Sequence, residues 1–230
     1  MINVVNAKIE TPINLTNEKP SLLIVENPHE YFNFVVQMLK AMQGEISEFT
    51  FWEGQTALSP LKCGEIIQSC FSFDFTDKKI VNLLYKKLQS NFQEGEFILQ
   101  FNKINSLLSI FLQDLCQTVD FDIDFSETTV EDILKTCSVK PACNYDGLLE
   151  KIICYVNMFI QLKNVKFFVF VGLKDVLSDE DLEELYKHCE LQKVSLLLIE
   201  SGKKRPLLQR EQAIIITEDL CEILENYTEI

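Results

Sequence analysis

Glycine is scarce, with seven in 230 residues. A backbone that wraps a pyrophosphate needs glycines for close approach, and neither GxxxxGK followed by Ser or Thr nor GxGxxG occurs. The hydrolase signatures GxSxG and HExxH are absent as well. Only two histidines are present, His29 and His188. His188 stands in the helical stretch Tyr186-Lys187-His188-Cys189, where no nucleophile and base can be paired beside it. These absences exclude the commonest routes to catalysis, and the chain reads as a protein without enzymatic activity. No CxxC occurs among the eight cysteines. Most cysteines sit among apolar residues, as Cys154 does between Ile153 and Tyr155, so all eight are expected to be free thiols packed like small hydrophobes. No apolar run approaches the roughly 20 residues of a membrane span. The start, Met1-Ile2-Asn3-Val4-Val5, lacks a basic segment and a small-residue cleavage site, which predicts a cytoplasmic protein away from membranes.

Basic residues are also in short supply: 21 Lys and Arg against 35 Asp and Glu leave a formal charge of −14. Such a chain repels nucleic acid at long range. Binding DNA would require lysines concentrated on one surface, cations that offset the acids, or several subunits pooling their basic faces.

What is present is a hydrophobic fraction of 47%, ample for a core. Ser21-Leu22-Leu23-Ile24-Val25 predicts a buried strand, and Phe32, Val35, Val36, Leu39 and Met42 carry helical spacing after Pro28. Glu48 to Trp52 predicts another strand, so strand, helix and strand open an α/β unit. The middle differs. A helix capped by Thr76 or Asp77 extends to about Phe92, a longer one covers about 96–118, a short one starts near Thr128 or Thr129, and another covers about 146–162. The α/β pattern returns with a strand at 165–171, a helix capped by Ser178, a strand at Val194–Ile199 and a third at Ala213–Thr217. The expected architecture is a discontinuous α/β head, 1–60 with 163–230, and an inserted all-helical domain at 61–162.

Two constellations carry chemistry. Asp120-Phe121-Asp122-Ile123-Asp124 places alternate carboxylates on one side of an extended segment, with Glu127 following. Hard oxygen ligands suit calcium, although a solvated acidic connector accounts for the same residues. The segment lacks the turn glycine and the spacing of an EF-hand. Lys78, Lys79, Lys86 and Lys87 form a helical cluster in which Lys79, Lys86 and Lys87 share a face, away from Leu83 and Leu84. Lys203-Lys204-Arg205 follows a strand in a loop. Both groups could contact phosphates without reading bases, and both are also ordinary solvated charge.

Asp146 to Lys151, Phe167 to Val171, Leu177 to Leu182 and Leu196 to Glu200, in this order after the DxDxD segment, resemble the small accessory protein of type II-A CRISPR adaptation. Phe71-Ser72-Phe73-Asp74-Phe75 before the lysine-rich helix is similar to that family's entry into its helical region. The resemblance implies a phosphate-loop-ATPase-like head with a mostly parallel sheet and a degenerate nucleotide site, plus a helical leg. It implies a homotetrameric ring that binds calcium and holds double-stranded DNA, ends preferentially, in support of spacer acquisition with other CRISPR adaptation proteins. Asp120, Asp122 and Asp124 fall on the family's metal-binding segment, and Glu127 follows one residue later than in the family pattern. The competing readings are a nucleotide-binding ATPase of the same head architecture and an interaction protein whose acidic segment meets a basic partner.

Overall fold

Two kinds of strand are encoded here, and they build two sheets. A strand apolar at nearly every position is stable only with both faces covered, whereas one that alternates needs a single covered face. The computed structural model describes residues 1–94, 96–203 and 205–226. It divides into two compact units, Met1–Phe73 with Asn144–Ile230, and Asp74–Cys143. The first opens with β1 (Ile2–Asn6), β2 (Ile13–Leu15), β3 (Ser21–Val25), α1 (Pro28–Gln43), β4 (Phe49–Glu53), β5 (Thr56–Leu58), the one-turn α2 (Pro60–Cys63) and β6 (Gly64–Ile67). The second holds α3 (Lys78–Glu94), α4 (Phe97–Cys116) and α5 (Val130–Thr136). The first then resumes with α6 (Leu148–Lys163), β7 (Phe167–Val171), α7 (Asp179–Leu191), β8 (Ser195–Ser201), β9 (Gln212–Ile216) and β10 (Glu222–Asn226).

The fold is mixed α/β. A six-stranded sheet runs β10-β9-β3-β8-β7-β6, parallel throughout except for the antiparallel edge strand β10. The expected crossover from β7 through α7 to β8 joins parallel neighbours. Buried α1 residues Phe34 and Met38 join Leu23, Val25, Phe167, Val169, Leu197 and Ile199 in one core. α7 packs on β8 and against α6, burying Leu182, Leu185 and Tyr186.

The strand at 48–52 was expected to continue an α/β unit, and its placement corrects that expectation. β4 pairs antiparallel with β1 in a separate four-stranded sheet, β2-β1-β4-β5. Its burial alternates, with Phe49 and Phe51 inward and Thr50 and Trp52 outward, so it needs one covered face and not two. The unit boundaries also differ from 60/61 and 162/163, falling at 73/74 and 143/144. The reason is that β6 is the outer parallel strand against β7, and α6 buries Leu149, Ile152, Val156 and Phe159 in the first unit. Gly64 starts β6 where a Cβ would lie 2.4 Å from the Phe167 ring. That ring stacks on Phe51, with centroids 5.2 Å apart, and ties the two sheets together.

In the second unit α3 packs against α4 and α5. Tyr85 donates to the Leu134 carbonyl at 3.1 Å, and Gln89 donates to Glu131 at 2.9 Å. Phe92 and Phe101 meet edge to face at 5.2 Å. Thr129 caps α5 through a reciprocal pair with Asp132. Among the described residues, no helix is long and apolar enough to cross a membrane. Cys63, Cys70, Cys116, Cys137, Cys189 and Cys221 are free thiols. Cys143 and Cys154 are disulfide-bonded, against the expectation of eight thiols. Spacing rules exclude a zinc motif, but a disulfide depends on how close the folded chain brings two Cα atoms.

Candidate nucleic-acid interface

α3 carries four lysines and no acid before Glu94. Asp77 holds its start, accepting from the Lys79 amide at 2.7 Å. Lys78, Lys79, Lys86 and Lys87 are all exposed, while Ile80 and Tyr85 are buried. At about 100° per residue, Lys86 lies within about 20° of Lys79, and Lys87 sits about 80° to one side. Lys78 is displaced about 100° the other way, so it flanks the stripe and does not belong to it. Leu84 is on the packed side, but half-buried Leu83 lies between Lys79 and Lys87. The expectation that both leucines point away from the lysines therefore holds for Leu84 alone.

Asp120, Asp122, Asp124 and Glu127 lie on an exposed connector without regular structure between α4 and α5. Calcium binds oxygens at about 2.3–2.6 Å, so its ligands must lie within about 5 Å of one another. Among the described residues no three Asp, Glu, His or Cys side chains form a group able to hold a metal ion, so these carboxylates are not gathered in this conformation. Their donor chemistry fits a hard cation, but their placement does not form a finished site.

The C-terminal basic loop is used internally. Lys203 pairs with Glu225 at 2.6 Å. Arg205 pairs with Asp179 at 2.7 Å and donates to the carbonyls of Lys174 and Leu177. Its guanidinium thereby clamps the turn after β7 to the start of α7. Lys204 lies outside the described residues. Lys203 and Arg205 are therefore occupied, and a phosphate would have to displace carboxylates to reach them.

At the carboxyl ends of the parallel strands, the anion site common to such sheets is filled from within. Pro28 supplies no N–H, and the Asn27 side chain accepts from the His29 and Glu30 amides at 3.0 and 3.2 Å. The other candidate, Gly172-Leu173-Lys174-Asp175, has Gly172 in the left-handed region, followed by a 3-10 turn. The Lys174 amide donates to Glu200 at 3.0 Å. Its ammonium donates to both oxygens of Glu211, at 2.9 and 2.6 Å. Tyr186 adds a third donor to Glu211 at 2.7 Å, and the Leu208 amide a fourth at 2.8 Å. Burial, together with the Glu211 charge, drives the Tyr186 hydroxyl well above its ordinary range. His188 is shifted down by burial and meets Asn157 at 2.8 Å, a structural contact between α7 and α6.

Sequence reasoning missed two features. One is the buried set Glu65, Glu200 and Glu211. Its only signal was an acid within or beside an apolar strand, as in Leu198-Ile199-Glu200. The other is α4, a 20-residue helix with no buried residue. Phe97, Ile104, Leu107, Phe111 and Leu115 form an uncovered stripe on it, with Leu107 69% exposed. Helical periodicity identified the helix but could not say which apolar positions find partners.

Comparison with known proteins places these features in context. A family described as "CRISPR-associated protein (Cas_Csn2)" matches residues 42–220. A curated relative from Streptococcus agalactiae, named CRISPR-associated protein Csn2, is 21% identical over 229 residues, covering 98% of this chain and 99% of that protein. One of the same name from Enterococcus faecalis is 19% identical over 193 residues, covering 84% and 86%. Among solved structures, the chain is similar to a nucleotide-free ATP-binding cassette from an ABC transporter, with 11% identity and a TM-score of 0.47 over 96% of this chain and 90% of that one.

Proposed function

Because this chain belongs to the CRISPR-associated Csn2 family, matched across residues 42–220, we propose that it binds double-stranded DNA without regard to sequence and supports spacer acquisition with other CRISPR adaptation proteins in the cytoplasm. The observation that carries the reading is the α3 stripe. In a chain of charge −14, Lys79 and Lys86, flanked by Lys87, stand exposed on the side of the helix opposite its buried residues. Phosphate contacts of this kind position a protein on a duplex but specify no base. The molecule acts by binding and not by catalysis. The occupied amides at α1 and the Lys174–Glu211 pair support this over nucleotide hydrolysis.

One stripe on one acidic chain is a weak grip, so the working form is a homotetrameric ring that pools several stripes. The uncovered stripe of α4 supports self-association, because a contiguous exposed apolar stripe marks an interaction surface. Calcium is the proposed cofactor. Asp120, Asp122, Asp124 and Glu127 would hold it, and it would neutralise carboxylates that otherwise repel both one another and the duplex.

The test compares linear with closed circular duplex in a calcium-replete gel shift, followed by salt titration. Lys79→Gln, Lys86→Gln and Lys87→Gln together are expected to weaken binding. The slope of log affinity against log salt should shrink by about 0.9 for each phosphate that is no longer neutralised. Unchanged affinity and slope would remove α3 from the DNA surface. For the metal, calorimetric calcium titration should give saturable heat that disappears when Asp120, Asp122 and Asp124 become Asn. A native chain that shows no heat rules the cofactor out.

A further inference from the structure

The chain leaves the first unit after Phe73 and re-enters it at Asn144. Both crossings run to one side chain, Lys151, in the first turn of α6. On the outgoing crossing its ammonium donates to the Phe71 carbonyl at 3.3 Å and stands 5.6 Å from the centre of the Phe73 ring. On the returning crossing it stands 5.4 Å from the centre of the Tyr145 ring. A cation within about 6 Å of an aromatic centre is attracted by the negative face of the ring. The clamp is rooted in the core. Lys151, Tyr155 and Phe159 follow at four-residue spacing, and so share one face of α6. Phe73 stacks on Tyr155 with centroids 4.4 Å apart, Tyr155 meets Phe159 at 4.6 Å, and Phe159 is buried.

The choice of partners is unusual for this chain. Lys8, Lys163, Lys166 and Lys174 of the same unit each pair with a Glu. With 35 acids against 21 bases, a carboxylate for Lys151 would be easy to supply. An exposed ion pair contributes little and fastens one segment. Two ring faces and a carbonyl let one ammonium fasten two segments at once.

We propose that Lys151 is a positioning residue for DNA binding, because it fastens both roots of the helical unit that carries the α3 lysines. The inference rests on the DNA reading above and names a residue that acts in it without touching the duplex. Loose roots leave a segment freedom that must be given up when its side chains engage a partner. Fastened roots have surrendered that freedom before the duplex arrives.

The experiment uses the full-length protein and two readouts. Chymotrypsin cleaves after aromatic residues. Nicking at Phe71 and Phe73, mapped by mass spectrometry without DNA and with the disulfide of Cys143 and Cys154 reduced, therefore reports release of the outgoing crossing. Lys151→Met keeps the stem and removes the charge. Two ring contacts of exposed strength correspond to about a tenfold change in the detached population, so nicking should rise about tenfold. Lys151→Arg keeps the cation and should stay within about twofold of native. Tyr145→Leu, at an exposed position, removes one ring and should give about a threefold rise. The second readout is duplex affinity against salt. Lys151→Met should weaken binding at least about threefold with the salt slope unchanged, because the same phosphates are neutralised. A slope that shrinks by about 0.9 makes Lys151 itself a phosphate contact and overturns the positioning role. Faster nicking with native affinity overturns it as well. Native nicking in both Lys151→Met and Tyr145→Leu overturns the clamp. A native chain that binds no duplex overturns the DNA reading, and nicking then decides the clamp alone. Far-UV dichroism is the folding control, and should Lys151→Met unfold, Tyr145→Leu carries both measurements.

Discussion

Removing Glu211 is the sharpest test of how the carboxyl end of the sheet is held. Its side chain has no exposure and that of Lys174 only 9%. It takes four hydrogen bonds: two from the Lys174 ammonium, one from Tyr186 and one from the Leu208 amide. In Glu211→Ala, Lys174 becomes a buried cation without its counter-ion, and two neutral donors are left without an acceptor. Breaking a buried pair from one side costs about 3–5 kcal/mol, most of it desolvation that is no longer compensated. With a urea dependence of about 2.5 kcal/mol per molar, the unfolding midpoint should fall by about 1.2–2 M. Lys174→Met leaves Glu211 two neutral donors and should cost less. The double variant Lys174→Met with Glu211→Ala removes both charges and should be more stable than the sum of the single losses predicts, by at least about 1.5 kcal/mol. The assay is equilibrium urea unfolding of all four proteins followed by near- and far-UV dichroism. A Glu211→Ala loss under about 1 kcal/mol, or single effects that simply add, would mean that water reaches the pair and that burial does not set its strength.

Two further outcomes follow from the same packing. Burial pushes the Cys189 thiol up to about 12 and lifts the Tyr186 hydroxyl well above its usual range. The unfolded chain then loses these protons first. Stability should be complete below the ordinary thiol range and decline as pH rises toward 12, and Cys189→Ala should flatten part of that decline in urea midpoints. Midpoints that stay level across this range would contradict the assignment. Gly64→Ala should destabilise by about 1–3 kcal/mol through overpacking. The added carbon would meet Phe167 at 2.4 Å and the Met42 methyl at 2.8 Å. A thermal melt unchanged from native would show that Phe167 can move aside.

The sequence disclosed whatever is written in one local window. β3 and β7 were legible because they are apolar on both faces. α7 and α5 were legible because Ser178 and Thr129 with an acid three residues later spell a capping pair. The short strands β1, β2, β5 and β6 were not, since three to five residues carry too little pattern. The sheet that β4 joins was hidden for a different reason: its partner β1 lies more than 40 residues upstream, and pairing leaves no mark on either segment. The site divides in the same way. The exposed lysines of α3 follow from helical spacing. The partners of Lys203 and Arg205, Glu225 and Asp179, lie 22 and 26 residues away, so no local reading separates a tethered cation from an available one.

The Asn27 side-chain oxygen that closes the front of α1 already takes the two amides an incoming anion would use. A phosphate arriving at that helix start would have to displace Asn27 before it gained a single backbone hydrogen bond.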